Sequence, residues 1–307
     1  MGKIGVILMA YGSPSSLDEL PNYLLDIRRG RPFTQDLLED LRSRYLAIGG
    51  LSPLTQITQS LARKLSTYLN EHLKDFAWIV GVGMKHSTPR ISSAVRNLWE
   101  QKAEVLVPLV LAPHYSSMSV AEYQEQVKSA IELHKAQFAK VVWINSWHDD
   151  PGFINLLAQR VRDALDEMVD INVEVVFTAH SLPERIIKQG DPYKDQLLES
   201  SYLVAKQAGV ESWRFAFQSQ SHTGEPWLGP DLLEVLEQLK LQGRTRVLVV
   251  PIGFTADHLE ILYDIGIEAR KCADSLGIEL RRTRSLNDND DFVYVLANLI
   301  EKRLEEI

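Results

Sequence analysis

Short runs of apolar and β-branched residues recur along the chain, and longer segments with helical periodicity separate them. Each run ends at a polar residue, a glycine or a proline, which is typical of buried parallel strands covered by helices. Four runs precede residue 150 and four follow it, at residues 3–12, 78–86, 103–114, 139–147, 172–181, 211–220, 244–254 and 278–287. The pattern predicts an α/β fold with two similar Rossmann-like lobes, each a four-stranded parallel sheet flanked by helices.

The chain of 307 residues is about twice the usual length of a domain, so we expect two domains of comparable size. The first predicted lobe is 1–150 and the second is 151–307. Helical periodicity marks the connecting segments, for example residues 54–73, 89–100, 120–134, 153–168 and 232–241. The closing segment, residues 290–307, is amphipathic, and it packs either on its own lobe or back on the first.

Charge and apolar content exclude several classes of protein. The formal net charge of −8 disfavours a broad nucleic-acid interface, which needs clustered Lys and Arg. One local basic segment, with Arg28, Arg29 and Arg31 followed by Arg42 and Arg44, fits a small-anion site or, equally, a solvated helix end. The apolar run near the amino terminus is too short for a membrane span, so we expect no integral membrane segment.

Motifs for several common chemistries are absent from the sequence. It contains no G-x-x-x-x-G-K-[ST] phosphate loop, no G-x-G-x-x-G after a strand and no G-x-S-x-G elbow. The single cysteine, Cys272, has no partner for a disulfide and no neighbouring cysteine for an iron–sulfur cluster. We therefore expect no nucleotide site, no cysteine-bound cluster and a reducing, cytoplasmic compartment.

Polar and aromatic residues stand where the predicted strands end. In open α/β sheets, ligands bind beyond the carboxyl ends of the strands. Five of the eight histidines lie at such ends, namely His86, His114, His148, His180 and His258. The other residues at these ends are Tyr11, Lys85, Tyr115, Trp147 and residues 218–222 and 254–260. The sequence therefore predicts a cleft between the lobes that is rich in imidazole.

Three carboxylates follow the strand that ends near residue 250. Glu260, Asp264 and Glu268 recur every four residues, which on an α-helix places them on one face with a drift of about 40° per step. Such a row can conduct a cation, or it can be a solvated helix face. His180, at the end of another strand, is a candidate ligand for Fe²⁺, Zn²⁺ or Cu²⁺, or a structural hydrogen-bonding residue. Spacing alone does not pair His180 with Glu260.

Ordered motifs along nearly the whole chain resemble the ferrochelatase family, in particular the short Gram-positive type that metallates coproporphyrin III. The first half contains MAYGSP at 9–14, IRRGR at 27–31, RY at 44–45, IGGLSPL at 48–54, GMKH at 83–86 and LAPHYS at 111–116. The second half contains AHSLPE at 179–184, GDPY at 190–193, QSQ at 218–220, PWLGP at 226–230, GF at 253–254 and DHLE at 257–260. Any single motif is weak, but the ordered set is highly specific.

The resemblance implies the class II chelatase fold and a lyase that inserts Fe²⁺ into coproporphyrin III, giving coprohaem in haem biosynthesis. It implies that His180 and Glu260 face each other across the porphyrin centre, that Tyr11 approaches the metal from the first lobe, and that Asp264 and Glu268 lead outward. It also implies a group of substrate-binding residues. These are Arg28, Arg29, Arg44, Ser52, Lys85, His86, Tyr123 and Trp227.

The chemistry implied by this resemblance is metal insertion with loss of two pyrrole protons. A rigid cleft bends the macrocycle, and a neutral His180 or Glu260 takes protons. The acidic row supplies the cation or removes protons, and Asp264 with Glu268 is a candidate site for a divalent cation. Fe²⁺ is then a substrate and no cofactor is required, and zinc insertion is also expected.

Two departures from other members of that family narrow the expectation. Relatives with an iron–sulfur cluster use cysteines that this chain lacks, and the mitochondrial type has methionine where this sequence has Tyr11. Together with the arginines, Tyr11 favours coproporphyrin III over protoporphyrin IX. The alternatives are a protoporphyrin IX ferrochelatase, a non-catalytic porphyrin or haem carrier, and a cobalt chelatase. We expect a monomer with porphyrin and Fe²⁺ as its partners, no nucleic acid, and a transient contact with a coprohaem-processing enzyme.

Overall fold

Two parallel four-stranded sheets form the frame of the protein, described here from a computed structural model that covers residues 2–168, 172–220 and 224–306. The first sheet has the strand order β2-β1-β3-β4 and the second the order β6-β5-β7-β8. The strands are β1 (Lys3–Ala10), β2 (Ala77–Met84), β3 (Val105–Val110), β4 (Lys140–Val141), β5 (Glu174–His180), β6 (Trp213–Gln218), β7 (Arg246–Val250) and β8 (Glu279–Arg282). This architecture confirms the predicted α/β fold with two four-stranded parallel sheets.

Helices cover both sheets and connect the strands. In the first half they are α1 (Leu20–Ile27), α2 (Gln35–Ala47), α3 (Leu54–His72), α4 (Ile91–Glu100) and α5 (Val120–His134). In the second half they are α6 (Pro151–Met168), α7 (Arg185–Lys188), α8 (Tyr193–Ala208), α9 (Leu232–Leu241), a π-helix (Ile261–Ala269), α10 (Arg270–Leu276) and α11 (Asp290–Glu305). No helix among the described residues is both long and apolar enough to cross a membrane.

The central strands are buried on both faces because helices pack against each side. Along β1, Val6 and Leu8 belong to one apolar cluster, whereas Ile7 and Met9 belong to another on the opposite face. All four side chains are fully buried. Alternate residues of a strand point to opposite faces, so a nearly continuous apolar run is what a doubly covered strand requires.

The prediction of the last strand in the first half is mostly wrong. Residues 139–147 were expected to form it, but β4 contains only Lys140–Val141. After β4 the chain leaves the sheet and buries its apolar side chains in the core. Trp147 is 2% exposed, and its indole N–H donates to the Val110 carbonyl oxygen at 3.1 Å. Apolar residues thus continue past the strand because they fill the core.

The closing helix α11 contacts α3 in the first half and α6 in the second. The Phe292 ring of α11 stacks on Trp147 with 6.1 Å between ring centroids. At its amino terminus, the carboxylate of Asp290 lies 2.9 Å from the Lys64 ammonium of α3. Both packing arrangements left open by the sequence are therefore present in one helix.

Two glycines allow close approaches that position the loops at the carboxyl ends of the strands. A Cβ on Gly253, just after β7, would lie 2.7 Å from the Cβ of Ala179, next to His180. Gly12, just after β1, has φ of +93°, and a Cβ there would lie 2.3 Å from the Ser87 hydroxyl oxygen. Only glycine tolerates both the left-handed backbone and the crowding at position 12.

Candidate functional site

His180 and Glu260 face each other at the carboxyl end of the second sheet. His180 is the last residue of β5, and Glu260 immediately precedes the π-helix. His180 Nε2 lies 3.5 Å from Glu260 Oε1, and the two side chains are 31% and 32% exposed. The Nδ1–H of His180 donates to the Ser181 carbonyl oxygen, and the Tyr193 hydroxyl donates to the His180 carbonyl oxygen at 3.0 Å. These bonds leave Nε2 directed at Glu260.

A second imidazole contacts the other oxygen of the same carboxylate. His258 Nε2 lies 3.5 Å from Glu260 Oε2, and His258 Nδ1 lies 2.9 Å from the Ala256 carbonyl oxygen. The Phe254 ring packs on the His258 ring with 4.6 Å between centroids. Sequence reasoning placed His258 at a strand end but assigned it no role. Its position two residues before Glu260 was the available signal.

The His180–Glu260 pair is charged. Burial lowers the pKa of His180, but the Glu260 carboxylate outweighs this effect and raises the pKa to about 9. Burial raises the pKa of Glu260, but His180 and His258 outweigh it and hold that pKa well below its usual range. At neutral pH the pair is therefore imidazolium and carboxylate. A neutral His180, as expected of a proton acceptor, therefore requires that this proton first leave.

Asp264 and Glu268 lie on a π-helix, Ile261–Ala269, and not on the expected α-helix, and Glu260 immediately precedes this helix. A π-helix closes its hydrogen bonds between residues five apart, so its wider turn changes the angular drift of residues spaced by four. Asp264 is buried, whereas Glu268 is exposed. Nine residues is long for a π-helix, and such segments are frequent at functional sites. The three carboxylates therefore differ in environment and do not form a uniform solvated face.

Asp264 is held by two polar partners. The Ser219 hydroxyl donates to Asp264 Oδ2 from a residue with φ of 60°, and Arg44 Nη1 lies 3.5 Å from Asp264 Oδ1. Burial, with a contribution from the Glu260 charge, raises the pKa of Asp264 to about 6. This carboxyl group therefore changes protonation close to neutral pH. Ser219 lies in a motif noted in the sequence, but its contact with Asp264 was not foreseen.

Tyr11, predicted to approach the metal from the first lobe, lies near enough to Glu260 to feel its charge. Its side chain is 40% exposed, and its ring packs on His86 with 4.6 Å between centroids. His86 Nδ1 lies 2.7 Å from Asp26 Oδ2, and the Arg90 guanidinium binds both oxygens of Asp26 at 3.0 and 3.1 Å. Desolvation and the Glu260 charge raise the pKa of Tyr11, so its hydroxyl stays protonated at neutral pH. Sequence reasoning missed Asp26, which anchors His86.

The predicted basic residues occupy different surroundings. Arg28 donates to the Pro32 carbonyl oxygen at 3.1 and 3.2 Å. Arg29 pairs with Glu122, and Lys85 pairs with the other oxygen of Glu122. Arg44 pairs with Asp40 at 3.0 Å, and its guanidinium lies 5.0 Å from the centroid of the Tyr263 ring. Arg44 is thus the basic residue that directly contacts the acidic row.

The remaining predicted substrate residues lie in three environments. Ser52 is buried just before α3, and its hydroxyl accepts from the Leu54 backbone N–H at 3.4 Å. Tyr123 is buried, with the Lys85 ammonium 5.2 Å from its ring centroid. The Trp227 ring lies 6.5 Å from the His180 ring. Trp227 is therefore near His180, the candidate metal ligand, and Tyr123 is near Lys85.

Other residues at the strand ends have structural partners. His114 is buried and bonds the Ser200 hydroxyl at 2.7 Å, and His148 lies 3.0 Å from Glu199. His222, also noted at a strand end, lies outside the described residues. Within residues 2–168, 172–220 and 224–306, no three His, Cys, Asp or Glu side chains are arranged to hold a metal ion. A cation at Asp264 and Glu268 stays a prediction.

Known proteins of one family match this chain over almost its whole length. The family model described as Ferrochelatase matches residues 3–304. A ferrochelatase of Herpetosiphon aurantiacus is 43% identical over 301 residues, covering 97% of this chain and 98% of that protein. A coproporphyrin III ferrochelatase of Geobacillus sp. is 40% identical over 307 residues, covering 99% of this chain and 98% of that protein.

Solved structures agree at the level of the fold. SirB from Bacillus subtilis with Fe³⁺ has a TM-score of 0.60 at 11% identity, covering 99% of this chain and 96% of that one. At that identity the likeness speaks for architecture alone. The family match and the relatives at about 40% identity carry the assignment. With its two parallel sheets and a histidine–glutamate pair at the carboxyl end of the second, the chain belongs to the ferrochelatase family of metal-chelating lyases.

Proposed function

We propose that this ferrochelatase inserts Fe²⁺ into coproporphyrin III. The observation that carries the proposal is a set of basic side chains in the first half of the chain. Arg29, which is 71% exposed, is joined through Glu122 to Lys85 beside Tyr11, and Arg28 and Arg44 are partly exposed. A porphyrin with four carboxylates gains more from such groups than one with two, because guanidinium and carboxylate form paired hydrogen bonds. Relatives at 37–40% identity are named coproporphyrin III ferrochelatase, whereas those at 42 and 43% are named ferrochelatase.

In the proposed complex, the macrocycle lies between Tyr11 and the His180–Glu260 pair. Tyr11 offers a half-exposed aromatic ring backed by His86, and the Trp227 ring flanks His180. Aromatic faces and edges at these positions suit a large, flat ligand. The same placement lets the Tyr11 hydroxyl approach the metal from the side opposite His180.

Metal insertion releases two protons from the pyrrole nitrogens for each Fe²⁺ that enters. His180 Nε2 is the proposed metal ligand, and an imidazole binds a metal only after it has lost its proton. Since His180 is protonated beside Glu260, metal binding must displace that proton as well. Glu260 is negatively charged, so it attracts the incoming dication and compensates its charge.

Asp264 is the proposed acceptor in proton exchange with solvent. A group is most effective as a general base when its pKa lies near the working pH, and the pKa of Asp264 is raised to about 6. Glu260, whose pKa is held low, is a weak base by comparison. Exposed Glu268, four residues further along the same helix, then connects the row to bulk water.

The direct experiment is anaerobic metallation of coproporphyrin III and protoporphyrin IX by the purified protein. The decrease of the free-porphyrin absorption spectrum measures the rate. We expect a higher kcat/KM for coproporphyrin III. A higher value for protoporphyrin IX would refute the substrate assignment and leave the family unaffected. Binding of either porphyrin with no metallation above background would indicate a carrier, and preference for a corrin precursor with Co²⁺ would indicate a cobalt chelatase.

A further inference from the structure

Glu122, on the first turn of α5, binds two cations at once. Its Oε1 lies 2.5 Å from Arg29 Nη2, and its Oε2 lies 2.6 Å from Lys85 Nζ. The two cations come from distant parts of the chain, Arg29 after α1 and Lys85 after β2. A carboxylate held by a guanidinium and an ammonium is the arrangement by which proteins bind a free carboxylate ligand.

This ion-pair cluster borders the proposed porphyrin site. The Lys85 ammonium lies 5.8 Å from the centroid of the Tyr11 ring and 5.2 Å from that of Tyr123. Lys85 is only 7% exposed, so the surrounding aromatic rings shield it from water. Lys85 needs an anion here, because an unpaired buried ammonium is costly.

The two cations differ in how tightly the fold holds them. Lys85 is buried, and its backbone N–H donates to the Ala10 carbonyl oxygen at 2.9 Å. Arg29 is 71% exposed and sits in a left-handed turn with φ of 55°, followed by Gly30 with φ of 78°. Arg29 can therefore exchange one carboxylate partner for another with little structural cost, whereas Lys85 stays in place.

We propose that Glu122 occupies the position of a substrate carboxylate and that a porphyrin propionate displaces it from Arg29, so that Glu122 limits affinity and selects among porphyrins by their carboxylates. The inference rests on the proposed function, since it requires a substrate with carboxylates beside Tyr11. Glu122 keeps the two cations paired and ordered before the substrate arrives. The negative charge of Glu122 also repels an incoming propionate. Only a propionate placed to bond Arg29 gains enough binding energy to overcome this repulsion.

The test compares Glu122→Gln with the wild-type protein in binding coproporphyrin III, measured by quenching of intrinsic protein fluorescence. We expect the Kd to fall about three- to tenfold. In the wild-type protein the propionate must break the Arg29–Glu122 ion pair, and such a pair near the surface is worth on the order of 1 kcal/mol. Glu122→Asp keeps the charge, and we expect its Kd to stay closer to the wild-type value. Glu125→Gln, on the exposed face of the same helix, is the matched control and leaves the Kd unchanged.

The tetramethyl ester of coproporphyrin III, dissolved with mild detergent, separates charge from shape. We expect Glu122→Gln to bind this ester no more tightly than the wild-type protein does. An unchanged or weaker affinity of Glu122→Gln for the free acid would overturn the proposal, as would an equal gain for the ester. Failure of the wild-type protein to metallate coproporphyrin III would instead count against the proposed function, whatever the effect on binding.

A crystal structure of the complex with coproporphyrin III provides a readout independent of affinity. We expect a propionate oxygen within hydrogen-bond distance of Arg29, and Arg29 Nη2 no longer bonded to Glu122 Oε1. A complex in which the Arg29–Glu122 pair persists at its present 2.5 Å would contradict the displacement.

Discussion

Glu260 holds the proton of His180 in place across a gap of 3.5 Å between Oε1 and Nε2. Each group is the largest reason for the charge of the other once the effect of burial is overcome. The imidazolium of His180 and the carboxylate of Glu260 together therefore carry no net charge. A dication that binds His180 takes the place of one proton there, so the net charge of the pair increases by one.

The first prediction concerns the proton on His180. Its pKa in the folded protein is raised to about 9 from an ordinary 6.5, so NMR of the imidazole should show titration near pH 9. In Glu260→Gln the carboxylate is lost while burial remains, so the titration should move to pH 6.5 or lower. An unchanged midpoint in that variant would contradict the pairing.

The same shift has a consequence for stability. Because the folded pKa of His180 is raised, the stabilisation is fully present below pH 6.5 and is lost as pH rises through about 9. Urea unfolding of the wild-type protein should therefore show a fall in the free energy of unfolding over this window. Glu260→Gln should lack that fall, and a parallel decline in both proteins would assign it to other groups.

A second prediction concerns His180→Ala. We expect a loss of turnover on the order of 10²- to 10⁴-fold, because the variant lacks the proposed metal ligand, while the Kd for porphyrin changes little. Fluorescence quenching measures binding and a single-turnover assay measures insertion. His72→Ala, at an exposed histidine of α3, is the control. Near-normal turnover in His180→Ala would remove His180 from the mechanism.

Asp264→Asn tests the proposed proton acceptor. If Asp264 must be ionised, the wild-type rate should rise with pH through about 6, the pKa to which burial raises this group. The variant should be slower and should lack this acidic limb of the rate profile. Asp274→Asn, at an exposed site on α10, should retain the wild-type profile. An acidic limb that persists in Asp264→Asn would assign it to another group.

Arg44→Ala tests the contribution of a basic side chain to substrate binding. The guanidinium lies beside Asp264 and over the Tyr263 ring, and its loss should raise KM for coproporphyrin III about tenfold with a smaller change in kcat. Steady-state kinetics separates the two quantities. Arg63→Ala, at an exposed position on α3, should behave as the wild-type protein. A fall in kcat alone would instead place Arg44 in the chemical step.

Gly253→Ala tests the close approach that positions the loop after β7. The added methyl would meet the Cβ of Ala179 at 2.7 Å, so we expect a loss of about 2 kcal/mol in the free energy of unfolding. The neighbouring His180 should also shift, with a fall in activity larger than the fall in folded protein. Gly266→Ala, whose nearest contact would be an ordinary 3.6 Å, should be close to neutral in stability.

The sequence was a good guide wherever a pattern has one physical cause. Apolar runs predicted the starts of all eight strands to within two residues, and the strand-end rule placed His180 and Glu260 at the same edge of a sheet. The apolar-run pattern failed at residues 142–147, because side chains buried in the core produce the same apolar pattern as a strand.

Features that depend on distant contacts were beyond the sequence. A spacing of four fits an α-helix, and nothing in residues 261–269 distinguishes the π-helix that forms there. The Glu122 carboxylate joins Arg29 and Lys85 across many residues of chain, so only the folded structure brings the three together. The charge on His180 likewise follows from a distance and not from a motif.

The helix that closes the chain restricts how the cleft can move. A rotation of one sheet against the other would separate α11 from either α3 or α6 and would expose buried Phe292 and Leu296. Exposing one such side chain costs roughly 1.5–3 kcal/mol, which makes wide hinge opening unfavourable. By joining the two halves of the chain, α11 therefore opposes wide separation of the two sheets. A frame that resists widening is also what the proposed bending of a bound macrocycle would require.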